Sequence, residues 1–241
     1  RDATYRCDRD NRSTPAIRSM QSLRGDGVTG DIPVVARDDI PAGEDRRRGR
    51  VVGVLLAAGT SSRFGTENKL LAEIDGTPIV RRAARTLLRA DTDSVVVVLG
   101  HEADRVRDAL FDLDLSFVEN PDYERGQSTS VAAGVDAAAR SDADAAVFLP
   151  GDMPFVAPDT VNALRSAYDA GVGSALAAAF EGQRGNPVLF DERHFDALRR
   201  VDGDTGGRRV FLDADTAALV SVDDSGVRAD VDTPADLRRR S

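Results

Sequence analysis

From residue 51 onward, short apolar runs alternate with stretches of helical pattern. Val51–Ala57, Ser94–Leu99, Ser116–Val118, Ala145–Leu149 and Ser174–Ala179 have the length and residue types of strands. Between them, Ile79–Leu88, Asp104–Leu110, Ser128–Ala139 and Pro158–Ala170 fit helices that cover a sheet. The alternation predicts an α/β fold, a Rossmann-like three-layer α/β/α sandwich with a mostly parallel sheet. After Ser174 the pattern loosens into Gly182–Phe190, a helix near Phe195–Arg199, a Gly203–Arg208 loop and a strand near Ala217–Val222. There is no internal repeat.

Residues 1–50 lack sustained apolar periodicity. They mix Arg, Asp, Ser, Gly and Pro, which leaves too little burial to offset the entropy of ordering them. They are read as a disordered or artefactual tail without assigned function, opening on Arg1 rather than Met, with Met20 or a later codon as a candidate start. Residues 51–241 are read as one domain, which suits a chain of 241 residues. Arg46-Arg47-Arg48 before the apolar run from Val51 superficially resembles a twin-arginine export signal. The run is short for one and ends in a glycine-bearing loop, so a buried strand explains it better.

Charge narrows the classes of partner. The net charge is −9, which argues against a general nucleic-acid or membrane surface, since both are negative. Residues 1–50 carry 11 Arg against 9 acids, and residues 51–241 carry 21 basic against 32 acidic side chains, so the globular part is the acidic part. An Asp-rich chain with one lysine suits a high-salt cytoplasm. Cys7 is the sole cysteine, which excludes an internal disulfide and a thiolate metal site. No apolar run approaches the roughly 18 residues of a membrane span.

The first strand runs into Leu56-Ala57-Ala58-Gly59-Thr60-Ser61-Ser62-Arg63-Phe64-Gly65, a small-residue loop whose backbone N–H groups can face phosphate oxygens. It is neither a Walker A loop nor a dinucleotide G-x-G-x-x-G fingerprint. Lys69, just beyond, is the only lysine beside 31 arginines. A compact, rotatable ammonium can neutralise one phosphate oxygen where a guanidinium would not fit. The run Val147-Phe148-Leu149-Pro150-Gly151-Asp152-Met153-Pro154 delivers a carboxylate at a strand's carboxyl end, and Asp152 suits a magnesium ligand. In open α/β sheets ligands bind beyond those carboxyl ends, so both motifs share one edge. His101 and His194 lie in unrelated segments without a nucleophile motif, and neither a triad nor a zinc site is expected.

The ordered set L-A-A-G-x-S-x-R-F-G-x-x-x-K-L-L and G-D-M-P resembles the MobA-like nucleotidyltransferase superfamily, especially its molybdenum cofactor cytidylyltransferase (MocA-like) branch. Asn120-Pro121, Gly126-Gln127-Ser128-Thr129-Ser130, Arg184-Gly185-Asn186-Pro187-Val188, Gly203-Asp204-Thr205-Gly206-Gly207-Arg208 and Asp230-Val231-Asp232-Thr233-Pro234 extend the match over roughly residues 51–240. The resemblance implies the nucleotide-diphospho-sugar transferase type of fold. It implies nucleotide contacts at Leu56, Ala57, Ala58 and Gly59, and phosphate contacts at Arg63 and Lys69. It gives Mg²⁺ on Asp152 with Asp232 as a second carboxylate, although Asp232-Thr233-Pro234 also reads as a helix start. Gly126 to Ser130 would bind base or ribose, with Ser128 or Thr129 as ordinary caps in the alternative. Arg184, Gly185, Asn186, Gly206, Gly207 and Arg208, with Arg209, would form the acceptor side.

The implied reaction is attack by an acceptor phosphate on the α-phosphorus of a nucleoside triphosphate, releasing pyrophosphate, with Arg63, Lys69 and Asp152 as catalytic groups. Leu56-Ala57-Ala58-Gly59 in place of L-A-G-G leans towards CTP. The implied acceptor is molybdenum-bearing molybdopterin, with a molybdenum hydroxylase as recipient of the product. Two alternatives stay open: a guanylyltransferase or sugar-phosphate nucleotidyltransferase of the same fold, and a non-catalytic accessory protein that carries nucleotide or cofactor.

Overall fold

The computed structural model describes residues 32–40, 48–61, 64, 68–203 and 206–238. Most of residues 1–50, Arg63 and the Asp204-Thr205 pair therefore lie outside the described residues.

Eight strands form one sheet. They are β1 (Val34–Ala36), β2 (Val51–Ala57), β5 (Ser94–Leu99), β6 (Ser116–Glu119), β7 (Ala145–Pro150), β8 (Ala175–Phe180), β9 (Gln183–Asp191) and β10 (Ala217–Ser221). Their order is β1-β10-β8-β9-β7-β2-β5-β6, and the short hairpin β3 (Glu73–Ile74) and β4 (Thr77–Pro78) stands apart. The helices are α1 (Ile79–Arg89), α2 (Ala103–Asp108), α3 (Gln127–Arg140), α4 (Pro158–Asp169), α5 (Phe195–Arg199), α6 (Arg208–Leu212) and α7 (Pro234–Arg238).

The strands β2, β5, β7 and β8 are buried on both faces, as their near-continuous apolar sequences require. Alternation along β2 sends Val51, Leu55 and Ala57 into a core shared with α1, α2 and α4, while Val52 and Val54 pack with α3, α5 and α6. Helix α3 can lie close because Gly134 faces β2: a Cβ there would be 2.5 Å from Val54 Cγ1. The expected three-layer α/β/α sandwich is the observed one.

Two features depart from the sequence reading. The first is β1, inside the region assigned to a tail: Val34–Ala36 pairs in parallel with Leu219–Ser221 and extends the sheet beyond residue 51. Three apolar residues cannot show a periodicity, and long-range pairing supplies the order that local sequence does not. The second is β9, which runs antiparallel to both β7 and β8. A two-residue turn joins β8 to β9, with Glu181 at φ 50° and Gly182 at φ 74°. Positive φ at both positions is the tight-hairpin geometry that glycine eases.

Reversal of β9 has a functional result. Since Phe148 pairs with Val188 and Ala145 with Asp191, the first residues of β9 project past the carboxyl end of β7. Arg184, Gly185 and Asn186 thereby reach the edge that carries Asp152. From β2 the chain passes to β5 and β6 on one side and only then to its parallel neighbour β7 on the other, and the crevice beyond the carboxyl ends of β2 and β7 is the natural ligand position.

Candidate functional site

Three linked clefts open at that edge. The largest, of about 530 Å³, is bounded by the end of β2 (Leu56, Ala58, Gly59), by the start of α3 (Gly126, Ser130), and by Lys69, Asp152 and Asp232. Eight of the residues expected to hold nucleotide or metal are brought together here. Among the described ones, Ala57 does not line the cleft, because strand alternation packs its methyl, fully buried, into the opposite core, and within Gly126 to Ser130 neither do Ser128 and Thr129. Arg63 lies outside the described residues.

Lys69 is aimed by its local backbone. Buried Asn68 caps the turn Lys69–Leu71, its Oδ1 accepting from the Leu70 N–H at 3.0 Å. The Ser61 hydroxyl donates to the same Oδ1 at 3.3 Å, while Ser61 Oγ accepts from the Lys69 N–H at 3.2 Å. Ser61 achieves this in a left-handed conformation, φ 55°, that a non-glycine residue adopts only when its surroundings fix it. With Leu70 buried beneath, the Lys69 side chain points into the cleft.

There the ammonium meets two carboxylates. Lys69 Nζ donates to Asp152 Oδ2 at 2.6 Å and to Asp232 Oδ1 at 2.8 Å. Desolvation works to lower the Lys69 pKa, but the charge and hydrogen bond of Asp152, then those of Asp232, outweigh it and hold the pKa above the ordinary lysine value. The ammonium stays charged at every physiological pH.

Backbone contacts bring the two aspartates side by side. Gly151 N–H donates to the Leu56 carbonyl at 2.8 Å, fixing the turn after β7, and Val231 N–H donates to the Asp152 carbonyl at 2.9 Å. Val231 is fully buried with Phe64, Ile74 and Ile79, so the alternating Asp-Val-Asp segment is nailed down by its middle residue. Thr233 and Asp236 then form a reciprocal cap: Asp236 Oδ2 accepts from Thr233 N–H at 2.9 Å, and Asp236 N–H donates to Thr233 Oγ1 at 3.4 Å. Asp232 is thus both the residue before a capped helix and a cleft carboxylate. Asp230, at the rim, has its pKa raised by desolvation and then by Asp232 and Asp152.

The convergence of two carboxylate oxygens on one ammonium is itself a test of fit for a hard cation. Oxygens that share a cation at 2.6 and 2.8 Å supply the donor type and direction that Mg²⁺ or Mn²⁺ requires, with substrate phosphates and water completing the shell. No group of three or more His, Cys, Asp or Glu is arranged for a metal among the described residues.

The start of α3 is anchored by Asn120. Its Nδ2 donates to Thr129 Oγ1 at 2.9 Å and to Ser130 Oγ at 3.0 Å, while its own N–H donates to the Leu99 carbonyl at 2.8 Å. Gly126, at φ 114°, makes the sharp entry into the helix. Gly100 lets this segment approach β2, since a Cβ there would lie 2.7 Å from Ala58 Cβ and 2.8 Å from Tyr123 Cβ.

The other two clefts hold the expected acceptor side. One, of about 330 Å³, is lined by Arg184, Gly185, Asn186, Arg228 and Asp230 and touches Asp152. The other, of about 190 Å³, has an apolar wall of Leu56, Val131, Phe148 and Phe190, with Arg184 and Arg208 beside it. Gly206 and Gly207 line this cleft as well, at the entry to α6, a helix that the loop reading of Gly203–Arg208 stopped short of. Burial, followed by the like charge of Arg208, lowers the Arg184 pKa to about 10. Its guanidinium lies over the Phe211 ring at 4.7 Å, and its Nε is buried without a hydrogen-bond partner. Arg209, by contrast, is exposed and faces Asp213 at 3.5 Å, away from the clefts, because it sits on the outer side of α6.

Gln127 and Pro150 border all three clefts. The sequence reading missed Gln127 as a junction residue, although it stands inside the Gly126–Ser130 motif. It also missed Arg228, which no motif marks. Neither His101 nor His194 lines any of the three clefts: His101 packs near the Tyr123 ring, and His194 Nε2 lies 2.8 Å from Ser174 Oγ.

Residues 53–218 match the family model of the MobA-like NTP transferase domain. The chain is 32% identical over 202 residues to purine catabolism protein PucB of Bacillus subtilis (strain 168), covering 79% of this chain and 97% of that protein. It is 32% identical over 196 residues to nicotine blue oxidoreductase of Paenarthrobacter nicotinovorans, covering 78% and 95%. A probable molybdenum cofactor guanylyltransferase of Haloferax mediterranei is 31% identical over 121 residues, covering 50% and 56%. Among solved structures, Rv0371c of Mycobacterium tuberculosis H37Rv superposes with a TM-score of 0.66 at 29% identity, over 79% of this chain and 97% of that one. Rv0371c has also been solved in complex with manganese, and that structure superposes with a TM-score of 0.62 at 28% identity, again over 79% and 97%.

Proposed function

The chain belongs to the MobA-like NTP transferase family, and on that premise we propose that it transfers CMP from CTP to the phosphate of molybdenum-bearing molybdopterin, releasing pyrophosphate. The observation that carries the reading is the continuity of the clefts across Gln127 and Pro150. On one side stand a lysine and two carboxylates; on the other, arginines beside an apolar wall.

Each side suits its partner in the reaction. A nucleoside triphosphate fits a cleft of about 530 Å³, and the loop amides after β2 offer hydrogen bonds to its phosphates. Leu56-Ala57-Ala58-Gly59, rather than L-A-G-G, is what favours cytosine. The acceptor cleft pairs Phe148 and Phe190 with Arg184 and Arg208, which suits a flat heterocycle with an anionic tail better than a sugar phosphate.

Mg²⁺, when bound, would be held by Asp152 and Asp232 and would supply charge neutralisation at the α-phosphate and the leaving pyrophosphate. Lys69 donates to phosphate oxygens of the nucleotide. Arg63, on the same loop, is assigned to those phosphates too. Arg184 and Arg208 hold the acceptor phosphate so that its oxygen faces the α-phosphorus; that oxygen forms the new P–O bond as the bond to pyrophosphate breaks. A phosphate acceptor is already ionised near neutral pH, so no protein base is required, and positioning provides much of the acceleration.

Pyrophosphate release from CTP and from GTP, measured with Mg²⁺ and molybdopterin in high potassium chloride, tests the proposal. Acceptor-dependent release from CTP, lost in Lys69→Ala and Asp152→Ala, is the expected result. Release from GTP alone would assign the chain to guanylyl transfer, and CTP binding without turnover would assign it to an accessory role. The kinship with nicotine blue oxidoreductase favours a second reading, a redox reaction. Oxidation of NADH or NADPH with no pyrophosphate release would establish that one instead.

A further inference from the structure

Lys69 occupies both carboxylates on which the proposed metal site depends. The contacts at 2.6 and 2.8 Å are charge-assisted hydrogen bonds of full strength, and the Lys69 side chain is only 15% exposed. An ammonium and a divalent cation drawn to the same two oxygens repel each other at close range, so the lysine and the metal compete for them. The backbone of Lys69 is fixed by Ser61 Oγ, and its neighbour Leu70 by Asn68, whereas the lysine's four-carbon stem can swing. Two carboxylates alone make an incomplete metal site; phosphate oxygens must supply further ligands. The same phosphates are the competing acceptors for the ammonium.

We propose that Lys69 is a displaceable counter-cation that closes the metal site of the nucleotide-free protein, so that a divalent cation enters only with a nucleoside triphosphate whose phosphates draw the lysine away. The inference rests on the reading above, in which Asp152 and Asp232 hold metal and the cleft takes a triphosphate. It makes metal and nucleotide binding mutually dependent: each raises the affinity of the other by the same factor. In the free protein Lys69 also offsets the mutual repulsion of the two aspartates, a task that passes to the metal when the lysine leaves.

Mn²⁺ binding to the full chain, read from the electron paramagnetic resonance signal of the unbound ion, tests this without turnover. In the absence of nucleotide, wild type should bind Mn²⁺ weakly, and Lys69→Met at least tenfold more tightly. Asp152→Asn in the Lys69→Met background should erase the gain. Lys69→Gln should behave like Lys69→Met, and thermal unfolding of both in EDTA checks that they fold. Equal Mn²⁺ affinities in wild type and both lysine variants would overturn the counter-cation role. A separate arm isolates the underlying site: if Asp152→Asn and Asp232→Asn leave Mn²⁺ retention by the protein–CTP complex unchanged, the metal-site reading fails and the inference with it. If those substitutions abolish retention while the lysine variants gain nothing, the metal site stands and the lysine's role alone falls.

Discussion

Gly185 passes so close to Val227 that an ideal Cβ on the glycine would lie 2.2 Å from the Val227 carbonyl oxygen. The neighbour is backbone, which cannot rotate away as a side chain can. Gly185→Ala should therefore cost about 1–3 kcal/mol, measurable by urea denaturation, and weaken acceptor saturation by shifting the start of β9. Gly59 is the contrast, since a Cβ there meets nothing within 4 Å. Gly59→Ala should leave stability within about 0.5 kcal/mol and affect only nucleotide binding.

Arg184 is a positive charge held in place before any anion arrives, buried beside Arg208 and stacked on Phe211. Removing it should relieve strain in the empty site and weaken ligand response. Arg184→Met is expected to gain about 1 kcal/mol of stability without anions. Inorganic phosphate, standing in for that of the acceptor, should raise the melting temperature of wild type more than that of the variant. A destabilised Arg184→Met would show that the stack on Phe211 outweighs the charge.

Asp152 and Lys69 should be unequal to their close analogues. Loss of a charge positioned for a phosphoryl transition state typically lowers kcat about 10²–10³-fold, the drop expected for Asp152→Asn. Lys69→Arg should not restore activity, since a planar fork cannot take the place of an ammonium held between Asp152 and Asp232. Steady-state pyrophosphate release reads both.

His194 gives the fold a pH dependence on its non-catalytic side. Burial lowers its pKa below the ordinary histidine value, with Asp191 opposing and Arg193 assisting the shift. The unfolded chain therefore binds a proton before the folded chain does, so stability is fully present above about pH 6.5 and declines as pH falls towards the folded-state pKa. His194→Gln should flatten the slope of the unfolding free energy between pH 7 and pH 5, and its retention in the variant would assign the slope to other groups.

Much of this architecture can be read from residues alone, and the parts that cannot share a physical cause. The strands Val51–Ala57 and Ser94–Leu99 have the bounds that their apolar runs indicate, because both are buried on two faces and bounded by polar turns. Lys69 and Asp152 are legible through their rarity and spacing, and 2.6 Å separates their charged atoms in the fold. The direction of β9 is not written in its composition, which would serve a parallel strand equally well; only the Glu181-Gly182 turn discloses it. The Asp75-Gly76 pair is a similar overlooked signal, with φ of 50° and 67° in the turn between β3 and β4. Ala57 shares its motif with Leu56 and Ala58, yet its side chain faces the opposite core, because a strand sends neighbours to opposite faces.

The strand Val34–Ala36 has a role that extends past its three residues. It covers the outer edge of β10, pairing with Leu219, Val220 and Ser221, of which the first two are buried. A chain shortened to begin at Val51 would leave that row of backbone donors and acceptors open to solvent, and an uncovered apolar edge is a template for another molecule. Light scattering should find the shortened protein prone to self-association while its clefts, on a different edge of the sheet, still take nucleotide. The segment before the first long strand would then be a guard on colloidal behaviour, separable from the chemistry it accompanies.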